Sequence, residues 1–226
     1  MHAKGLVVIS PHFDDAVMSC GELIGSCSGV VVATVCSASP GPRVPASPEW
    51  DAAEFETAHA AAMSRGEEDR RALAVLGAEQ VGLGLVDELY RPFVGHEELL
   101  PQLAASIAAL LDERRPRACA FPVGLGTGTS DHELARDAAV HALRPRGWCH
   151  PIAYAELPYA FNFPSRLDER LLNFPARVRR FGGLTLRPGV KQEAVCCYET
   201  QLQHVPSWER ALEPGTERLF HVRWSS

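Results

Sequence analysis

The sequence predicts an α/β fold in which a mostly parallel sheet lies between two layers of helices. Three observations carry that expectation. Short β-branched runs, above all residues 6–9 (Leu-Val-Val-Ile) and 30–36 (Val-Val-Val-Ala-Thr-Val-Cys), have the composition of buried strands. Amphipathic stretches of helical length separate one such run from the next. The alternation implies βαβ units with right-handed crossovers. The expected architecture is a Rossmann-like three-layer αβα sandwich, whose ligands bind beyond the carboxyl ends of the strands.

Taken in order, residues 6–9 are the first strand, 15–24 a helix and 30–36 the second strand. Residues 37–48 carry Pro40, Pro42, Pro45 and Pro48 and are not helical, because each proline removes a backbone donor. This loop follows the second strand on the same edge as His12, and either walls a pocket or runs over the surface. Residues 50–76 read as a long helical region with Gly66 as a candidate break and Gly77 as its end. A short strand (80–85), a helix (97–113), a strand (118–123), a helix (132–143) and a strand (152–157) follow. Residues 158–175 are rich in proline and aromatics, including Tyr159, Phe161, Phe163 and Phe174, and suit a pocket wall or a patch packed on the sheet or on another subunit. Arg177-Val178-Arg179-Arg180 reads as a solvated basic face, and residues 182–187 and 219–224 as paired edge strands.

Composition narrows the function classes. With 46% hydrophobic residues and neither repeat nor linker, residues 1–226 suit one catalytic domain. A formal charge of −6 and a pI near 5.8 disfavour nucleic acid, which needs clustered cations. No apolar run reaches the roughly 18 residues of a membrane span, and the start lacks a signal-peptide pattern, so the expected location is cytoplasmic. The seven cysteines include no Cys-x-x-Cys pair, which disfavours a disulfide framework or structural zinc finger, and a bridge between the adjacent Cys196 and Cys197 would be strained.

The chemistry concentrates in Ser10-Pro11-His12-Phe13-Asp14-Asp15, directly after the first strand. His12 and Asp15 offer an imidazole and a carboxylate, ligand types that zinc accepts, while Asp14 between them stays uncommitted. A catalytic zinc needs three protein ligands. The third candidate is His132 in Thr129-Ser130-Asp131-His132-Glu133, again between a strand-like and a helix-like run. Asp and Ser also cap helices, so the local pattern alone leaves both readings open. Gly124-Leu125-Gly126-Thr127-Gly128 lacks the spacing of a dinucleotide fingerprint and any Gly-Lys-Ser/Thr. Its glycines rather let the backbone bend close to a metal or substrate and deliver Asp131 and His132.

Pro11-His12-Phe13-Asp14-Asp15 with Gly21 resembles the Pro-His-Pro-Asp-Asp-Glu signature of the LmbE-like, or PIG-L, family of zinc-dependent N-deacetylases. Four further segments agree in order. Arg65-Gly66-Glu67-Glu68 with Leu76-Gly77 resembles the family's Arg-x-x-Glu helix. Leu83-Gly84-Leu85-Val86-Asp87 resembles its Leu-Gly-x-x-Asp strand and loop, and Asp131-His132 the end of its His-x-Asp-His motif. Lys191-Gln192-Glu193-Ala194 with Tyr198-Glu199-Thr200-Gln201 resembles a late helix closing on Ser-Gln. The resemblance spans nearly the whole chain, loosely between Cys149 and Pro188, and implies an LmbE-like sandwich. Phe13, Ala16 and Thr129 depart from the motifs. Thr129 stands where relatives place a histidine near the reacting centre, and its hydroxyl donates a hydrogen bond but carries no proton near neutral pH. His59, His96 and His204 are the available substitutes.

The resemblance implies a zinc ion held by His12, Asp15 and His132, with Asp14 as general base and Asp131 orienting a ligating imidazole or supporting a charged neighbour. The resemblance further implies that Arg65 and Asp87 contact substrate hydroxyls and that Thr129 joins the substrate-binding set. The implied partner is a small N-acylated amino sugar of the N-acetylglucosamine type, or a glycoside or natural-product intermediate that carries one, with homo-oligomerisation left open. Alternatives are a metal-binding pseudoenzyme or sugar-binding module, an amidase for a larger conjugate, and a phosphoester hydrolase. The scarcity of cations around the motifs disfavours the last.

Overall fold

A computed structural model describes residues 5–48, 50–51, 53–126, 131–181, 189–205 and 207–224. The chain runs β1 (Leu6–Ser10), α1 (Asp15–Gly25), β2 (Val30–Ala38), α2 (Ala58–Leu76), β3 (Ala78–Val86), α3 (His96–Arg114), β4 (Ala118–Pro122), α4 (Asp131–Leu143) and β5 (His150–Tyr154). Then come α5 (Tyr159–Asn162), α6 (Pro164–Leu172), β6 (Arg177–Arg180), α7 (Val190–Val195), α8 (Glu199–Leu202), a 3-10 turn (Trp208–Leu212) and β7 (Leu219–Arg223). Together the strands form one sheet in the order β3-β2-β1-β4-β5-β7-β6. The first five are parallel, whereas β7 runs antiparallel to both β5 and β6.

Alternation along each strand builds two cores. Val7 and Ile9 of β1 and Val31, Ala33 and Val35 of β2 face Ile107 and Leu111 of α3 and Leu134 of α4. Leu6, Val8, Val30 and Val32 face the other way, onto Val17 and Leu23 of α1, Leu73 of α2 and Val195 of α7. This is the expected sandwich. From β1 the chain steps outward to β2 and β3, then returns to β4 on the other side, so the strand order reverses between β1 and β4. A crevice opens beyond the carboxyl ends of two strands whose connections leave in opposite directions, and ligands of such sheets bind there. His12 follows β1, and the loop toward His132 follows β4.

Several boundaries differ from expectation, each for a local reason. The helical region expected from residue 50 starts at Ala58, because Thr57 caps α2 by accepting the Ala60 N–H (3.2 Å) and pairs in an isolated bridge with Pro45. Gly66 does not break α2; the Phe13 ring packs over it, and a Cβ there would lie 3.5 Å from Phe13 Cζ. The late helix divides into α7 and α8, and Tyr198 between them turns its side chain fully inward. Arg177–Arg180, expected as a solvated face, is the edge strand β6, and its charged side chains discourage pairing with another sheet. The strand at 219–223 is flanked by β5 and β6, and its expected partner, 182–187, lies outside the described residues. No helix among the described residues is long and apolar enough to cross a membrane.

The first and last sequence motifs meet on the α1 face. The Lys191 stem crosses α1 over Gly21, where a Cβ would come within 2.7 Å of Lys191 Cγ. Lys191 Nζ lies 3.4 Å from Glu217 Oε1, and both side chains are buried.

Candidate metal centre and catalytic site

The turn after β1 is built to present His12 and the two aspartates. Ser10 Oγ donates to the His12 carbonyl (2.5 Å) and accepts the Ala16 N–H (3.0 Å), while the His12 N–H donates to Asp15 Oδ2 (3.0 Å). Asp15 therefore closes the turn by accepting a backbone bond and opens α1. Neither aspartate caps α1 with its side chain: Asp14 occupies the N-cap position without a cap bond, Asp15 accepts from His12 outside the helix, and Ser10 takes the Ala16 N–H instead.

His12, Asp15 and His132 converge although 117 positions separate the last two. One ligand atom of each lies within 4.8 Å of those of the other two. His12 Nδ1 is 3.3 Å and His132 Nε2 is 3.6 Å from Asp15 Oδ2, and the imidazole centroids are 5.2 Å apart. The outer nitrogens are held by other carboxylates. His132 Nδ1 lies 3.3 Å from Glu156 Oε1, and His12 Nε2 lies 3.5 Å from both Asp131 Oδ2 and Asp87 Oδ2. Asp131 in turn accepts the Glu88 N–H (2.9 Å) and pairs with Arg91 Nη2 at 2.7 Å. Carboxylates behind imidazoles fix which nitrogen is bare, as in metal sites generally.

Glu156 is the residue that sequence reasoning missed. It is fully buried and accepts three successive backbone N–H groups, from Val123 (3.1 Å), Gly124 (2.8 Å) and Leu125 (2.7 Å), so one carboxylate shapes the loop after β4 and orients His132. A lone acid closing the apolar run Ile152-Ala153-Tyr154-Ala155 was the available signal. Arg91, Tyr90, Asp51 and Trp50 carried none. The loop glycines do what their pattern suggested: Gly124 takes φ +89°, and a Cβ on Gly126 would stand 2.2 Å from His132 Cδ2. Gly126→Ala is accordingly expected to displace the His132 ring and lower metal affinity, checked by a competitive chelator titration. Glu156→Gln, which removes the charge and turns an acceptor of the Val123 N–H into a donor, is expected to cost about 10–100-fold in metal affinity in the same titration.

The electrostatics favour a cation. Burial alone would push the His132 imidazole down, but Asp15 and Glu156 outweigh it and the net shift is upward. His12 shifts up in the same way, against burial, through Cys36, Asp131 and Asp15. Asp15 is held below its usual range by His132 and His12 in spite of burial. Asp14 moves the other way, to about 6, through burial and the neighbouring Asp15 charge.

A pocket opens over this cluster, lined by Asp14, Trp50, Arg65, Asp87, Tyr90 and Tyr159 among others. Ala58, Ala61 and Ala62 of α2 keep its wall shallow and apolar. Arg65 pairs with buried Asp51, which also accepts from the Tyr90 hydroxyl. Of residues 37–48, Ala38 and Pro40 line the pocket, so the proline-rich loop contributes to its wall, as do Trp50 and Asp51 just beyond it. Of the aromatic segment, Tyr159 faces the pocket, edge-on to His132 with centroids 5.5 Å apart, whereas Phe174 stacks on Phe121 in the core and Phe161 lies under Arg210 and Arg218. Thr129 lies outside the described residues. The substitute histidines are engaged elsewhere: His59 with Ser39 (2.7 Å), His96 with Asp137 (3.1 Å), and His204 edge-on against Trp50.

A polar relay braces the turn from below. Tyr198 Oη lies 2.6 Å from Asp69 Oδ1 and 3.0 Å from the Phe13 carbonyl, and Gln80 Nε2 donates to Asp69 Oδ2 (2.7 Å). Burial raises the Asp69 carboxyl to about 7 against those hydrogen bonds. When protonated, Asp69 donates to the Tyr198 oxygen and frees the phenol to donate to Phe13. The folded chain then holds a proton that the unfolded chain releases, so this stabilisation is complete below about pH 4 and is lost as pH rises through about 7. The expected outcome is a melting temperature that falls more steeply over that window in the parent than in Asp69→Asn, whose amide imitates the protonated acid.

The comparisons agree with this geometry. The family model described as PIG-L, GlcNAc-PI de-N-acetylase, matches residues 7–143. No curated protein matches the sequence. Among solved structures, the A40926 pseudoaglycone deacetylase is 26% identical with a TM-score of 0.76, over 99% of each chain. A zinc-inhibited form of teicoplanin deacetylase is 22% identical with a TM-score of 0.75, over 98% of each. N,N'-diacetylchitobiose deacetylase from Pyrococcus horikoshii is 16% identical with a TM-score of 0.62, over 98% of this chain and 84% of that one.

Proposed function

The chain belongs to the PIG-L family, and we propose that His12, Asp15 and His132 hold the zinc ion with which it removes an N-acetyl group from an amino sugar. The observation that carries this reading is the convergence of two imidazoles and one carboxylate at the point where strand order reverses. The donor set fits: His12 presents Nδ1 and His132 presents Nε2 inward, each with its other nitrogen backed by an acid, and the surrounding charge is negative. Two imidazoles and a carboxylate are a three-ligand set of the kind that catalytic zinc takes. Zinc bound there supplies Lewis acidity toward an acyl carbonyl and acidifies water.

The chain's own groups do the rest. Asp14 accepts the proton of the attacking water on its carboxylate and returns it to the departing amine nitrogen, leaving acetate and a free amino sugar. Its value of about 6 places both protonation states within reach near neutrality. Asp131, anchored by Arg91, keeps the His12 proton on Nε2 and its lone pair on Nδ1. Arg65, fixed by Asp51, and half-exposed Asp87 supply a donor and an acceptor for sugar hydroxyls at the pocket wall. Trp50 and Tyr159 give apolar faces against which a pyranose ring packs.

The substrate is a glycoside or natural-product intermediate bearing an N-acetylglucosamine-type sugar. Solved structures similar to this chain include deacetylases named for A40926 pseudoaglycone and teicoplanin, and 40% or more of the Trp50 and Leu89 surfaces is exposed at the pocket edge to meet a scaffold beyond the sugar. The test is elemental analysis combined with an amine-release screen over N-acetylated sugars and glycosides. Stoichiometric zinc with amine release is expected; bound zinc without release from any N-acyl amine would instead identify a binding module.

A further inference from the structure

We infer that His12 is the pivot of two mutually exclusive cation sites, and that its outer edge forms, with Cys36 and Asp131, a thiolate-containing site for a soft dication. This rests on the proposed function only for the role of the inner edge. The ligand atoms of His12, Cys36 and Asp131 lie within 4.8 Å of one another, within the same limit as those of His12, Asp15 and His132. Cys36, at the end of β2, is 6% exposed and Asp131, opening α4, is fully buried. Asp131 Oδ2 approaches His12 Nε2 at 3.5 Å while it accepts the Glu88 N–H (2.9 Å) and Arg91 holds the other oxygen at 2.7 Å, so an anchored carboxylate turns one oxygen toward the imidazole. Asp87 Oδ2 stands at the same 3.5 Å from Nε2 on the more exposed side. A thiol, an imidazole nitrogen and a carboxylate meet at one point.

Exclusivity follows from the imidazole itself. A neutral ring has one bare nitrogen. An ion at Nδ1, beside Asp15 at 3.3 Å, requires the proton on Nε2, where Asp131 and Asp87 accept it. An ion at Nε2 requires the proton on Nδ1, where Asp15 accepts it. The two sites therefore compete for His12, and the ion's preference for sulfur decides between them. Both ions accept thiolate, but a softer dication such as Cd2+ gains more from the Cys36 sulfur, whose thiol proton passes to solvent on binding, whereas the inner side offers zinc a second imidazole. Capture of His12 by the outer site removes one of the three inner ligands and stops turnover.

The experiment uses the full chain with the more accessible Cys27, Cys196 and Cys197 replaced by serine. Cadmium chloride is titrated into zinc-loaded protein while thiolate-to-cadmium absorption, bound zinc and cadmium, and amine release are followed. The expected result is one zinc released for each cadmium bound, absorption rising in step and turnover falling. Cys36→Ser should lack the absorption and bind cadmium more than about tenfold more weakly. Absorption that survives Cys36→Ser, or cadmium bound alongside retained zinc, overturns the inference. Cadmium added to metal-free protein should produce the same band, so failure to load zinc counts against the proposed function alone.

Discussion

Asp14→Asn is expected to bind zinc as the parent does and to lose about 10²–10⁴-fold in kcat, with KM little changed. The substitution is nearly isosteric, and Asp14 makes no side-chain cap bond to α1, so the turn that carries His12 and Asp15 has no reason to move. What disappears is the carboxylate able to take a proton from water and return it to the amine. Full turnover in this variant would transfer the base role to another group in the pocket, with Tyr159 and Asp87 among the lining candidates.

His132→Ala is expected to abolish both zinc retention and amine release. Two donors then remain, His12 and Asp15, and Glu156 loses the imidazole it faces at 3.3 Å. Glu156 keeps its three backbone donors, so the loop after β4 should persist and the variant should fold. Thermal melts separate the two effects. Zinc at about 100 times its dissociation constant stabilises the parent by about 2.7 kcal/mol, and the melting temperature of His132→Ala should not respond. A variant that still shifts on zinc addition would place the ion elsewhere. His12→Ala should behave likewise.

Much of this site was legible because strand ends announce themselves. An apolar run broken by His-x-Asp-Asp, and a second followed by glycines and Asp-His, locate two loops on one sheet edge before any pairing is known. The parallel half of the sheet followed from alternation. Residues 50–57 misled because their composition continues that of α2; only the Thr57 cap and its bridge to Pro45 set the start. Glu156, Arg91 and Asp51 were hidden for a different reason. Their role is to satisfy or orient a group distant in sequence, and a single buried charge carries no period to read. The edge strand Arg177–Arg180 was hidden by its own arginines, which serve solubility on one side while Val178 packs on the other.

The division of labour around the crevice has an evolutionary corollary. Every proposed zinc ligand sits in the turn after a strand or on the first turn of a helix, whereas the pocket walls come from α2, from the segments after β2, β3 and β5 and from α8. Drift in those walls can retarget the enzyme from one acylated scaffold to another while the hydrolytic apparatus is inherited intact. Chimeras that exchange wall segments between relatives should therefore exchange preference and keep chemistry.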